Sequence, residues 1–162
     1  MNLRVLKIID GTTVDGPGFR TSIYFAGCRH ECPGCHNPSS WDFEAGTDMS
    51  VSQILERISE NDMDVSLSGG DPLYQAEALT CLCRMIKDSG KSIWLYTGFL
   101  YEDILANPVY APLLKYVDVV VDGPFVSQLR DTALLFRGSS NQRLIDVAKS
   151  QCGKIVEWES EF

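Results

Sequence analysis

Three cysteines fall within eight residues of the sequence, in the segment Gly27-Cys28-Arg29-His30-Glu31-Cys32-Pro33-Gly34-Cys35-His36-Asn37. Thiolates are soft ligands that suit iron–sulfur clusters and zinc. Gly27, Pro33 and Gly34 let such a loop wrap closely around an inorganic core. Three chemistries fit this pattern. The first is a cluster of four irons, which normally takes four cysteines. Three would leave one iron without a protein ligand, and an open coordination position is where a substrate can bind a metal. The second is zinc, with His30 or His36 as fourth ligand. The third is a dithiol redox pair, because Cys32-Pro33-Gly34-Cys35 is a C-x-x-C following a strand in an α/β pattern. Cys28 weighs against that pair, which has no use for a third nearby thiol.

A second polar motif is Ser68-Gly69-Gly70-Asp71-Pro72. Two glycines allow main-chain carbonyls to approach a ligand closely, and Asp71 can accept from an ammonium group. Other features read more plainly. Asp15-Gly16-Pro17-Gly18 is a turn or a docking feature, His30 a solvated loop residue, and Trp94, Tyr96 and Phe99 packing residues. Cys81 and Cys83 lie two apart on an expected helix and are read as small buried hydrophobes. Cys152 is an incidental thiol. The stretch Arg137-Gly138-Ser139-Ser140-Asn141-Gln142-Arg143 reads as a helix cap or as a functional polar segment.

The elements that must position these motifs alternate along the chain. Strands are expected at residues 3–9, 21–26, 65–67, 93–96 and 117–121, with further candidates at 134–136 and 154–158. A helix capped by Asp48 or Ser50 carries Val51, Ile54, Leu55 and Ile58 at spacings of three and four. Others are expected at about 74–88, ended by Gly90, from 101 to 105, and over 141–149. Strands that are apolar throughout and alternate with helices predict a mainly parallel sheet covered by helices. In such folds ligands bind at the carboxyl ends of the strands. The cysteines, residues 68–72, Thr97-Gly98 and Asp122-Gly123-Pro124 each follow a strand, so they should converge on one rim.

Composition narrows the function classes. The 162 residues form a usual length for one domain, expected to span 1–162, and 44% are hydrophobic. A domain of this size folds without disulfides. The net charge of −8 disfavours nucleic acid. No apolar run reaches the roughly 20 residues of a membrane span, and the first residues do not read as a signal peptide. The chain is therefore expected in the cytoplasm, where its six cysteines stay reduced.

Taken together, the motifs resemble a known family. Cys28-x3-Cys32-x2-Cys35 is similar to the signature of the radical S-adenosylmethionine superfamily. Within it, the chain resembles the activating proteins of anaerobic (class III) ribonucleoside-triphosphate reductase. The resemblance rests on Val14-Asp15-Gly16-Pro17-Gly18-Phe19-Arg20, residues 27–37, Ser66-Leu67-Ser68-Gly69-Gly70-Asp71-Pro72, Trp94-Leu95-Tyr96-Thr97-Gly98, Val121-Asp122-Gly123-Pro124-Phe125, and Phe136-Arg137-Gly138-Ser139-Ser140-Asn141-Gln142-Arg143, in that order.

The resemblance implies a single-domain partial (βα) barrel with a mainly parallel sheet and its active site at the carboxyl ends of the strands. It implies a 4Fe–4S cluster on Cys28, Cys32 and Cys35, whose open iron chelates S-adenosyl-L-methionine. An electron from a small donor such as flavodoxin or ferredoxin would cleave the sulfonium to methionine and a 5′-deoxyadenosyl radical. That radical would take a hydrogen from a glycine of the reductase, leaving a glycyl radical. Gly69, Gly70 and Asp71 would meet the cofactor's methionine end, and Gly34, Cys35 and His36 its adenine. Pro124 stands where relatives can carry a lysine near the cofactor carboxylate, which leaves Arg137 or Arg143 as its replacement.

Overall fold

In the computed structural model, which describes residues 1–35, 37–151 and 154–160, seven strands form one open sheet. They are β1 (Asn2–Thr12), β2 (Arg20–Phe25), β3 (Thr47–Ser50), β4 (Asp64–Gly69), β5 (Ile93–Tyr96), β6 (Val119–Asp122) and β7 (Arg143–Asp146). Their order is β3-β1-β2-β4-β5-β6-β7. The central four, β2, β4, β5 and β6, run parallel. β1 is antiparallel to β2 and β3, and β7 is antiparallel to β6. The expected parallel sheet is thus the middle of a mixed one.

Each parallel step needs a crossover, and a helix supplies it. These are α1 (Val51–Ile58), α2 (Ala76–Asp88) and α3 (Tyr101–Ala106). Ser50 is the cap of α1: its hydroxyl accepts from the Gln53 amide, and the Gln53 side chain accepts from the Ser50 amide. This reciprocal pair satisfies two donors that a helix start leaves orphaned. Asp48, the other expected cap, lies instead in the edge strand β3.

Alternation along the strands sorts the side chains onto two different faces. Ile23 and Phe25, Val65 and Leu67, Ile93 and Leu95, Val120 and Ile145 point to one side. There they pack with Ile54 and Ile58 of α1, Leu79, Leu82, Cys83 and Ile86 of α2, and Ile104 of α3. Cys83 is fully buried, as expected of a small hydrophobe. The residues between them form the second face. Trp94, Val119, Val121 and Leu144 make a small cluster there, covered by Tyr96, Phe136 and Trp158. Among the described residues the helix side chains of the two apolar clusters all belong to the first face. Strands β2 and β4 are therefore not apolar throughout: Ser22, Tyr24, Ser66 and Ser68 occupy the second face.

Three expected elements differ. Residues 134–136 form no strand but a turn in which Phe136 has φ +60° and sets its ring edge-on to Trp94. Residues 141–149 are not a helix. Leu144, Ile145, Val147 and Ala148 mimic helical spacing, but pairing of Arg143–Asp146 with β6 prevails, a case of tertiary context overriding local pattern. Residues 154–158 contribute one bridge, Glu157 to Ile145, rather than a full strand. Cys152 lies outside the described residues. Among those residues, no helix is long and apolar enough to cross a membrane.

Candidate active site

A cleft of about 320 Å³ opens at the carboxyl ends of the parallel strands. Tyr24 enters it from the end of β2, and Cys28, Cys32 and Cys35 from the loop that follows. Ser68, Gly69 and Gly70 come from β4, Tyr96, Thr97 and Gly98 from β5, and Val121 and Gly123 from β6. The strand-end motifs therefore meet in one place. A larger depression of about 670 Å³ beside Met1, Gln75 and Val109 gathers no cysteine, and Glu77 is its only charged side chain.

Cys28, Cys32 and Cys35 are free and half-buried. Burial pushes the Cys28 thiol up from its ordinary value. A reactive dithiol usually places its nucleophile at a helix start, which lowers the thiol pKa. Among the described residues no helix begins at Cys32 or Cys35; the next described element is a single 3₁₀ turn, Pro38–Trp41. For the zinc alternative, His30 has only Nδ1 left to offer, because its Nε2 is directed to Asp71. Among the described residues, no group of three His, Cys, Asp or Glu side chains is gathered to hold a single ion. Three soft ligands around a roomy cleft suit a multi-iron body.

The cysteine loop and the β4 motif are joined through their main chains. The Gly70 amide donates to Phe25 O and the Asp71 amide to Gly27 O, both at 2.8 Å. A Cβ on Gly70 would lie 2.5 Å from Gly27 O, and one on Gly69 would lie 2.2 Å from the Phe25 nitrogen. Only glycine fits either position. The close approach expected toward a ligand is made, on one side, to the protein's own backbone.

Asp71 is fully buried and does not line the cleft. Its carboxylate accepts from the Leu73 and Gly98 amides, the Thr97 hydroxyl and His30 Nε2, the last at 2.7 Å. A carboxylate offers about four lone-pair sites, and these four donors occupy them. A direct contact of Asp71 with an ammonium group therefore lacks a free acceptor. The His30 ring packs against Phe99 and Tyr74, with centroids 4.6 and 5.7 Å away. It also lies where a Cβ on Gly98 would be, 2.6 Å away. His30 is thus not a solvated loop residue. It clamps the middle of the cysteine loop to the ends of β4 and β5.

The other wall is looser. Asp15 accepts from Ser22 at 3.0 Å and from Tyr24 at 2.5 Å. Burial, and then this bond, push the Tyr24 phenol up to about 12. Arg20 is buried beneath, donating to Val65 O and the Ser66 hydroxyl, while Ser66 donates to Asp15 O. The Tyr96 hydroxyl and Arg137 Nε are buried with no hydrogen-bond partner among the described residues. Burial raises the Tyr96 phenol far above its ordinary value. Arg143 faces elsewhere, held by Asp122 at 2.5 Å and Glu102 at 3.0 Å. Arg137 is the only lysine or arginine lining the cleft among the described residues, and one of its nitrogens donates to Gln142 O. Residues 137–143 cap no helix; Gln142 and Asn141 bind the β6 end through Gly123 O and Pro124 O.

Of the expected site residues, Cys28, Cys32, Cys35, Gly69 and Gly70 share the cleft. Gly34 backs onto Phe125 and Ser127 instead. His36 lies outside the described residues. Spacing alone does not single out Tyr96 or Gln142, although Tyr96 ends a parallel strand, where a ligand-facing residue belongs.

Comparison with known proteins agrees with this geometry. Residues 14–145 match the family model of a 4Fe-4S single cluster domain. The chain is 37% identical over 139 residues to the anaerobic ribonucleoside-triphosphate reductase-activating protein of Escherichia coli K12, covering 80% of this chain and 89% of that one. It is 40% identical over 139 residues to the protein of that name from Enterobacteria phage T4, covering 81% and 86%. For the Haemophilus influenzae protein the identity is 34% over 150 residues, covering 86% and 96%. Among solved structures, QueE from Escherichia coli superposes with a TM-score of 0.54 at 17% identity, over 60% of this chain and 53% of that one, a likeness of fold. The chain belongs to the family of anaerobic ribonucleoside-triphosphate reductase-activating proteins.

Proposed function

We propose that this chain is a radical S-adenosylmethionine enzyme, an oxidoreductase that generates the glycyl radical of anaerobic ribonucleoside-triphosphate reductase in the cytoplasm. The observation that carries the reading is the meeting of three free thiols with the Ser68–Gly70 main chain in one cleft. Cys28, Cys32 and Cys35 would hold a 4Fe–4S cluster and leave one iron for S-adenosylmethionine. When bound, these groups supply reductive cleavage of the carbon–sulfur bond and hydrogen abstraction from a glycine, with the electron coming from a donor such as flavodoxin or ferredoxin.

The chain's own residues bind, orient and exclude water. Ser68, Gly69 and Gly70 present main-chain groups to the cofactor's methionine end. Asp71 acts as a positioning residue: through His30, Thr97 and Gly98 it fixes the cysteine loop relative to β4 and β5. Cys35 would border the adenine, with Gly34 and His36 its neighbours in sequence. Arg137 is the cation available to a carboxylate, since Arg143 is neutralised by Asp122 and Glu102. The half-shell of strands β2, β4, β5 and β6 serves as a partial (βα) barrel, and residues 1–162 work as one radical S-adenosylmethionine domain.

Anaerobic reconstitution tests the reading. The protein should turn brown, bind about four irons per chain, and release 5′-deoxyadenosine from S-adenosylmethionine when reduced. Cys32→Ala should lose both iron and product. Colourless protein with one zinc and no such product would refute the reading.

A further inference from the structure

Arg137 reaches the cleft from an unusual stretch of backbone. Phe136, the residue before it, has φ +60°, a left-handed conformation that a bulky side chain rarely adopts. Such a residue persists only where its surroundings over-determine it. Here two tryptophans surround it. The Phe136 ring stands edge-on to Trp94, with centroids 5.3 Å apart, and tilted to Trp158 at 6.1 Å. The two indoles meet edge-on at 5.0 Å. Aromatic pairs at these spacings attract beyond their buried area. Trp94 is fixed by β5. Trp158 arrives from the C-terminal segment, which lies antiparallel along β7. The Asp146 amide donates to Val156 O at 2.9 Å, the Trp158 amide donates to Leu144 O at 2.7 Å, and Glu157 bridges to Ile145. Trp158 does not itself line the cleft.

We propose that Trp158 is a positioning residue: it holds the Phe136 turn, and the turn holds Arg137 toward the carboxylate of S-adenosylmethionine. The proposal rests on the function given above, in which Arg137 is the cation for that carboxylate. The chain just after Phe136 is tied down on its polar side. Arg137 Nη1 donates to Gln142 O at 2.6 Å, and the Gly138 amide donates to Gln142 Oε1 at 2.9 Å. Arg137 Nε has no partner among the described residues. A guanidinium carries its donors in a rigid planar fork. With one arm fixed, the backbone that carries the side chain sets where the other donors point. That backbone reverses at Phe136, and an aromatic ring walls it on each side. Removing the Trp158 ring takes away one wall, and φ at Phe136 can relax toward the ordinary region. The fork then turns away from the direction in which it serves a carboxylate.

The test uses reconstituted, unreduced holoenzyme, in which S-adenosylmethionine binds without being cleaved. Equilibrium dialysis gives the affinity for S-adenosylmethionine and for 5′-deoxyadenosine, which carries the nucleoside but no carboxylate. Iron content reports whether the cluster site is intact. Trp158→Ala should weaken S-adenosylmethionine by about fivefold or more, with iron content and 5′-deoxyadenosine affinity staying within about twofold of wild type. Trp158→Phe, which keeps an aromatic ring, should restore the affinity. Phe136→Gly should repeat the loss. It carries the comparison where Trp158→Ala fails to fold, because glycine takes φ +60° freely while removing the ring. Arg137→Gln should lose at least as much, and adding Trp158→Ala to it should lose nothing more, since the two act in series. Unchanged S-adenosylmethionine affinity in Trp158→Ala or Phe136→Gly would overturn the proposal. So would an equal loss for 5′-deoxyadenosine, or a further loss in the Arg137→Gln background. Wild type that binds neither iron nor S-adenosylmethionine would overturn the function itself. Wild type that binds both, beside an Arg137→Gln that binds equally well, would leave the function standing and remove this proposal.

Discussion

On one wall of the cleft, His30, Leu73, Thr97 and Gly98 supply a donor for each acceptor site of a fully buried Asp71. On the other, Tyr96 Oη and Arg137 Nε are equally cut off from water and have no partner among the described residues. Buried polar groups are nearly always paired, and an unpaired one costs about 1–3 kcal/mol. The first wall has the completeness of a scaffold, which holds the cysteine loop whether or not a ligand is present. The second carries a standing cost that the first does not. Within one cleft, completeness of hydrogen bonding separates the two walls.

Substitutions can break this contrast. The largest effect should come from Asp71→Asn, which turns an acceptor into a donor facing donors. We expect a loss of about 2–4 kcal/mol, read as a lower urea midpoint. His30→Ala removes one of the donors and should cost about 1–3 kcal/mol. Because the two residues share one network, the double variant should lose less than the sum; strict additivity would show that the brace is not a unit. Next comes Tyr96→Phe, which deletes an unsatisfied hydroxyl. The free protein should gain about 1 kcal/mol while the yield of glycyl radical falls. A stability loss in this variant would place Tyr96 with the scaffold.

The smallest effect lies far from both walls and calibrates them. Hydrogen bonding to the Arg57 guanidinium holds Asp10 below its ordinary carboxylate value, despite partial burial acting the other way. A lowered folded pKa stabilises above the unfolded value of 3.8 and is lost as pH falls through the folded one. Asp10→Asn should therefore cost under about 1 kcal/mol at neutral pH, and its stability should converge with that of wild type in acid. Two matching denaturation series, at pH 7 and near pH 3, would measure this.

Much of the site is visible in the sequence because it is local. Cys28, Cys32 and Cys35 are near neighbours, and Gly69-Gly70 follows a strand that periodicity identifies. The parallel strands were equally plain, since Val65-Ser66-Leu67 and Val119-Val120-Val121 have few other uses. What the sequence hid depends on distant pairing. His30 looks solvated until Asp71, 41 positions away, is brought to it. Residues 143–146 read as helical because nothing nearby reveals that β6 will take them. The mixed edges of the sheet, β3 and β7, are four residues long each, too short to announce themselves by pattern.

The helices cover only one face of the sheet, and a consequence of that lies in scale. A fully wound shell admits what fits through its mouth. An open sheet leaves its second side accessible, so a surface can be laid across it. The bulk of the molecule it serves then sets no limit, and only the few residues that meet the rim need to agree. On the function proposed above, a chain of 162 residues could then act on a protein larger than itself.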